Sequence, residues 1–328
     1  MARIIVRRFL ILIPMMVVLS VISFVIIQLP PGDFLTKYVQ EMEASGMQVD
    51  QAVIDSFSRL YGLDRPVYVQ YFVWMKNFIL HGQLGRSMLW DKPVTDILIE
   101  RVPMTMMISV LSLIVVWIVA IPIGIYSATH TYSLQDYVFT FFGFIGLALP
   151  NFLFAVVLLW LVYSRTGYAI TGLFSYEYLE VGWSWARFVD MLKHIWLPLV
   201  VLATAGTAGL IRGMRGNLIE ELNQKYVVTA RAKGVPETRL LWKYPIRVAF
   251  NPIVSTIGWM LPALVSGEVI VSIVLNIPTM GPIILNAVMG QDMYLAGSSI
   301  MILSALSVFG TLISDLALLW LDPRIRFD

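Results

Sequence analysis

Apolar residues fall into six long blocks along this chain, at residues 9–29, 104–127, 137–163, 195–211, 248–275 and 295–321. Each can cross a bilayer core as a helix, because about 20 residues rising 1.5 Å apiece span roughly 30 Å. The first block follows Arg3, Arg7 and Arg8, an arrangement shared with cleaved signal peptides. A signal peptide has a shorter apolar region, about 7–15 residues, and ends at a small-residue cleavage site. Pro30, Pro31, Gly32 and Asp33 offer no such site. The pattern therefore predicts a retained first helix. Pro14, Pro122, Pro150, Pro198 and Pro262 lie within blocks and predict kinks, since each removes a backbone donor. Ala205, Gly209 and Gly213 recur every four residues and predict a stripe where a neighbouring helix packs closely.

Residues 30–101 are mixed and moderately polar, too long for a tight connection and without a spanning segment. They predict a small folded insert outside the membrane. The expected fold is an all-α integral membrane protein with six transmembrane helices and both termini on one side. Its parts are a cytoplasmic N-terminus with the first helix (1–29), an extracytoplasmic insert (30–101) and a five-helix core (102–328). Composition agrees: 58% of residues are hydrophobic and only 13% charged, with mean hydropathy +0.78. A soluble domain carries about a quarter charged residues. With the N-terminus inside, thirteen of the 23 Lys/Arg are cytoplasmic and three lie in short outer loops. The remaining seven lie in the insert, and long segments cross largely regardless of charge. The positive-inside rule thus places residues 212–252 in the cytoplasm, along with both termini. A net charge of +2 gives no argument for nucleic acid. The absence of cysteine removes disulfides, thiolate metal sites and cysteine nucleophiles.

The 212–252 loop is the most informative polar stretch. It holds eight Lys/Arg against three acids. Ile219, Leu222, Tyr226 and Ala230 recur at three- and four-residue steps, which predicts one helix face. Gly234 suits a left-handed stop to that helix. Pro236 and Glu237 suit the first turn of a second helix carrying Leu240, Leu241 and Trp242. Setting topology requires charge alone. It does not require an apolar helical face, a glycine elbow and a tryptophan outside the bilayer, so the loop reads as a docking surface.

The run from Tyr226 through Thr229, Ala230, Arg231, Ala232 and Lys233 to Gly234, followed by Asn251 and Pro252, resembles a known element. It is similar to the cytoplasmic ATPase-docking loop of ABC importer permeases, in particular the dipeptide/oligopeptide permease family and its nickel and oligosaccharide relatives. The wider superfamily has Glu-Ala-Ala where this chain has Val228, Thr229 and Ala230, a departure usual in the peptide branch. The likeness continues through Arg8 to Pro14, Leu29 to Asp33, Tyr61 to Pro66, Gln70, Tyr71 and Trp74. It extends to Gly82–Ser87, Glu100–Pro103, Thr105, 121–124, Asn276–Pro278, Gly281, Asp292 and 321–326. Ser272 stands where the family commonly has Glu, and Thr279 replaces a usual Gly, so solute preference is where the chain departs.

The resemblance implies a type I ABC importer permease forming half of a path for peptides or oligosaccharides. It implies a second, homologous permease subunit, two cytoplasmic ATPase subunits and an extracytoplasmic solute-binding protein. It also implies no cofactor on this chain, ATP being bound by the partner ATPases. The residues themselves agree on the last point: no phosphate-binding Gly-x4-Gly-Lys-Ser/Thr loop occurs. There is no His-Glu-x-x-His or Gly-x-Ser-x-Gly, and His81, His130 and His194 are far apart. Glu268 lies deep within a block, where an acid either lines a path or is held by a neighbouring helix. Glu268 and Ser272 are the candidate path residues; Asp315 reads as structural. Two rival functions stay open. An ion-gradient-driven transporter wants several intramembrane ionisable groups, whereas a non-transporting scaffold would give no solute flux.

Overall fold

The computed structural model describes residues 2–28, 34–44, 51–61, 64–179 and 181–321. The quoted likenesses at 29–33, 62–63 and 322–326, and the side chain of Asp315, lie outside the described residues. Among these residues the chain is helical, without a strand, and its sole isolated β-bridge joins Arg86 and Pro93. The helices are α1 (Ala2–Gln28), α2 (Phe34–Ala44), α3 (Gln51–Tyr61), α4 (Val67–His81), α5 (Val94–Thr129), α6 (Leu134–Ala148) and α7 (Asn151–Thr166). They continue as α8 (Trp185–Leu222), α9 (Lys225–Ala232), α10 (Glu237–Lys243), α11 (Pro245–Ser255), α12 (Ile257–Leu275), α13 (Met280–Met289) and α14 (Met293–Leu321).

Four helices are long and apolar enough to cross a membrane: α5, α8, α12 and residues Met293–Ile313 of α14. A fifth span counts if α6 and α7 are one broken crossing, since they bend by 106°. The 137–163 block is therefore not a continuous helix. Leu149 is extended because the ring of Pro150 disfavours helical geometry in the residue before it. The apolar stretch of α1 with described side chains, Leu10–Val25, is shorter than these spans. Other block boundaries also move. Residues 195–211 are the middle of the 38-residue α8, which continues through Pro198. The 248–275 block divides into α11 and α12 at Thr256, and residues 276–294, expected as a loop, contain α13.

Contacts divide the chain into two units, residues 1–104 with 279–306, and residues 105–278 with 307–328. The first unit gathers Phe24, Trp74, Leu84, Val94, Leu98, Met280 and Leu295 into one core. The 30–101 insert thus shares its interior with α1, α13 and the start of α14. The Trp74 indole N–H donates to the Leu84 carbonyl at 3.2 Å, and Phe24 stacks on Trp74 with centroids 6.0 Å apart. Asp292 is the polar pin of this unit. One carboxylate oxygen caps α14 by accepting from Leu295 N–H at 3.1 Å. The other accepts from the Ser87 hydroxyl at 2.6 Å and from the N–H groups of Met88 (2.8 Å) and Leu89 (3.1 Å).

The second unit is built on α8, against which α6, α7, α11 and α12 pack. Its core joins Val116 and Ala120 of α5 to Leu210, Met214 and Leu218 of α8 and to Ile246, Ala249 and Ile253 of α11. The predicted small-residue stripe is displaced. Gly209 has no neighbour near its missing side chain, and Gly213 meets only Ile253 at 3.7 Å. Close approach occurs on another face, where α6 presents Gly143 to Ala208 and Gly146 to Thr204. A β-carbon at Gly146 would sit 2.7 Å from the Thr204 methyl. Beyond this contact Arg215 of α8 grips Asp136 of α6 with two hydrogen bonds, at 3.1 and 2.9 Å. The Tyr132 N–H also donates to that carboxylate, at 3.0 Å, so removing Arg215 would loosen the end of α6 without leaving Asp136 unpartnered.

Asp292→Ala is expected to strand the Ser87 hydroxyl and the backbone N–H groups of Met88, Leu89 and Leu295. Each orphaned donor costs about 1–3 kcal/mol. Limited proteolysis should then cut first within residues 82–93, and the unfolding midpoint in detergent should fall, with Asp292→Asn intermediate.

Candidate functional site

The polypeptide leaves α8 at Leu222 and restarts as α9 at Lys225, so the anticipated single helix through Ile219, Leu222, Tyr226 and Ala230 is two helices. Gln224 is extended, with ψ 146°, and this resets the helical phase. Ile219 and Leu222 do not join an outward face. They pack against the main core.

The end of α9 is a Schellman turn. Gly234 N–H donates to the Arg231 carbonyl at 3.0 Å, and Val235 N–H reaches back to Ala230 at 3.3 Å. Gly234 has φ +77°, a left-handed value that costs a residue with a β-carbon about 1–2 kcal/mol. The expected glycine stop is present. Pro236 then precedes the first turn of α10, as its fixed φ permits.

Two sets of contacts hold α9 and α10 together. Inside the bend, Val227, Ala230 and Leu240 are buried against one another, flanked by Val235 and Tyr244. Outside it, Arg231 forks onto Glu237, Nη2 to Oε1 at 2.6 Å and Nε to Oε2 at 3.1 Å. The guanidinium holds the Glu237 carboxyl below its ordinary range. This pair is half exposed, so its strength is modest. Tyr226 donates its hydroxyl to the Glu221 carboxylate. Partial burial, reinforced by that carboxylate, pushes the phenol up, so it stays a donor. Thr229 turns its hydroxyl onto the Lys225 carbonyl of its own helix.

Ala230 and Leu240, expected on the docking face, instead form the inner clamp. Leu241 anchors the bend to the core of α8 and α11. The residues turned outward are Tyr226, Thr229, Arg231, Ala232, Lys233, Gly234 and Trp242, joined by Val228, which the sequence pattern missed. Val228 is 54% exposed and Trp242 69%. The signal that finds Val228 is the phase reset at Gln224: counted from Lys225, Val227 and Ala230 share one face and Val228 and Ala232 another. The surface is thus two separated apolar side chains in a basic setting of Lys225, Lys233, Arg239 and Lys243.

Glu268 and Ser272 lie one turn apart on α12, and both are buried, at 1% and 0% exposure. The Ser272 hydroxyl donates to Val269 within its own helix at 2.9 Å. Neither reaches solvent in this chain. No group of three His, Cys, Asp or Glu suited to a metal occurs among the described residues. His194 contacts the Asp190 carbonyl at 2.8 Å, while Asp190 accepts from Ser175 N–H and hydroxyl. That cluster ties the 175 turn to α8 and aligns no nucleophile with a base.

A packed elbow is fastened to apolar helices long enough to cross a membrane, and no catalytic cluster stands beside it among the described residues. Comparison with known proteins agrees. Residues 120–327 match the binding-protein-dependent transport system inner membrane component family, and residues 1–109 match the N-terminal region of such membrane components. The chain belongs to this family, as an ABC importer permease of the peptide branch and an integral protein of the cell membrane. It is similar to the oligopeptide transport system permease protein AppB of Bacillus subtilis, with 36% identity covering all of both chains. It is also similar to the dipeptide permease DppB of Alkalihalophilus pseudofirmus, at 27% identity over 98% of each chain. The oligopeptide permease OppB of Haemophilus influenzae shares 26% identity over the full length of both.

Leu240→Ala is expected to cost about 2–5 kcal/mol of local stability by opening a cavity in the clamp. Hydrogen exchange across residues 225–243 should accelerate, whereas Trp242→Ala should leave that exchange unchanged.

Proposed function

We propose that this permease forms half of the translocation path of an ATP-driven peptide importer. A second, homologous permease completes the path, an external binding protein delivers the solute, and two ATPase subunits dock on the 212–252 elbow. The chain holds no nucleotide site of its own, and ATP is bound by those partners. Six crossings, counting α1 and the α6–α7 pair, put both termini and the elbow in the cytoplasm and the 30–101 insert outside. Peptides are the solute that the relatives' names support, with oligosaccharides the wider expectation. Glu268 and Ser272 would join the path only in a conformation that uncovers them.

One observation carries this reading: the elbow is packed within itself and continuous with the core. Val228 and Trp242 stand outward, Val227, Ala230 and Leu240 lock the bend, and Leu241 ties it to α8 and α11. A displacement imposed on the outer face is therefore passed to the spanning helices instead of being absorbed by a flexible loop. Such a push drives transport only if the partner grips the elbow differently in two states, since equal contact shifts nothing.

The test is a reconstituted transporter carrying Val228→Asp with Trp242→Ala. Solute-stimulated ATP hydrolysis and uptake should fall by about tenfold or more, the scale of losing an interface anchor, while membrane insertion and the unfolding midpoint stay unchanged. Gly234→Pro should also abolish uptake with insertion intact. Uptake and ATPase stimulation that survive these changes would show that the elbow is not the docking element.

A further inference from the structure

The second unit contains a cleft apart from the α9–α10 elbow and from Glu268 and Ser272. It lies between α6 and α8, and its polar end is lined by Arg212, Arg215, Asp136, Tyr132 and Tyr137. The cleft has a volume of about 200 Å³ and opens to solvent at its mouth. Arg215 commits Nε and Nη2 to Asp136, which leaves its Nη1 uncommitted. Arg212 has no carboxylate partner among the described residues. Its guanidinium carbon instead lies 5.0 Å from the centre of the Phe144 ring. Two guanidinium groups and one carboxylate leave a single positive charge in the cleft.

The cleft does not end at its polar residues. Phe139, Gly143, Ala208 and Ile211 line it and also line an adjoining groove whose other walls include Val119, Ile123 and Val200. That groove follows the apolar faces of α5 and α8. A small polar cavity bearing one net positive charge therefore opens directly into an apolar channel. The junction lies where the apolar run of α8 stops at Arg212, so the cleft is at the level of lipid headgroups once the chain is in a bilayer. Tyr132 and Tyr137, both well exposed, suit that level.

We propose that this cleft binds one anionic phospholipid. Its phosphodiester, with one negative charge, pairs with Arg212 and the free edge of Arg215, and an acyl chain occupies the groove beside Gly143 and Ala208. Basic pockets between transmembrane helices recognise headgroups in this way. The glycine at 143 has a second consequence here: its missing side chain leaves α6 close to α8 yet leaves the groove open beside it. The lipid would brace α6 against α8 next to the Arg215–Asp136 bridge. This inference needs only that the chain spans the membrane and is independent of the elbow's partner.

The experiment is native mass spectrometry of the full-length chain, purified in detergent and titrated separately with phosphatidylglycerol, phosphatidylethanolamine and inorganic phosphate. One phosphatidylglycerol should be retained in preference to phosphatidylethanolamine, and inorganic phosphate should not displace it. Arg212→Gln should weaken retention about fivefold, the worth of one basic residue near an anionic surface, and Arg212→Lys should restore most of it. Arg212 is exposed, so these variants should melt like the parent chain. Val119→Trp, filling the groove from an exposed position, should weaken retention without altering the charge of the cleft. Equal retention of the two lipids, indifference to Arg212→Gln, or full displacement by phosphate would overturn the proposal. So would loss of the lipid on assembly with the second permease, because the groove would then be a subunit contact.

Discussion

The clamp formed by Val227, Ala230 and Leu240 is the contact on which the functional reading depends. Helices as short as α9 and α10 are unstable in isolation, because nucleation costs more than one or two turns return. Here that cost is offset by burying three apolar side chains inside the bend and by the Schellman closure at Gly234. The bend then has a fixed angle. Leu241 transmits that angle into the cluster of Met214, Leu218, Ile246 and Ala249, so elbow and spanning helices form one body. Under the proposed docking, the outer side chains would supply recognition and the inner ones would pass it to the spanning helices.

The membrane part follows from a different constraint. Backbone groups inside a bilayer need partners within the protein, so breaks in spanning helices belong where neighbours cover them. The chain has breaks at Leu149–Pro150, which is exposed in this chain by itself, and at the partly buried Thr256. Their flanking helices, α6, α7, α11 and α12, all pack on α8, which runs unbroken for 38 residues. One continuous helix thus carries the packing of four shorter ones. Close packing of α6 relies on Gly143 and Gly146, while Asp136 and Arg215 fix its end.

The parts legible in the sequence were those decided by local chemistry. Gly234 and Pro236 announce the elbow because few residues serve a left-handed stop or the start of a helix. Apolar blocks announce a membrane protein because the chain has too little charge to cover itself in water. Facing directions were less legible. Ala230 reads as outward when the period runs from α8 through Gln224, where the helix in fact restarts, and Leu240 because seven residues of helix do not reveal which apolar side chain turns inward. Helix α13 is hidden because ten mostly apolar residues between two spans resemble a connection as much as a helix. The pin between Ser87 and Asp292 joins residues 205 positions apart, a pairing that no local pattern contains. Proline marked the break at 150, but its 106° angle depends on what α6 and α7 pack against.

The most direct measurement exploits the absence of cysteine from this chain. Val228→Cys places one thiol on the outer face of the elbow, where a bifunctional reagent can reach whatever lies against it. In a transport-active assembly in native membranes, docking at the elbow should give a crosslink from this position to an ATPase subunit. The yield of that crosslink should change when ATP binds. A working transporter in which the thiol crosslinks to no ATPase, or is labelled by a membrane-impermeant reagent from the outer side, would contradict it.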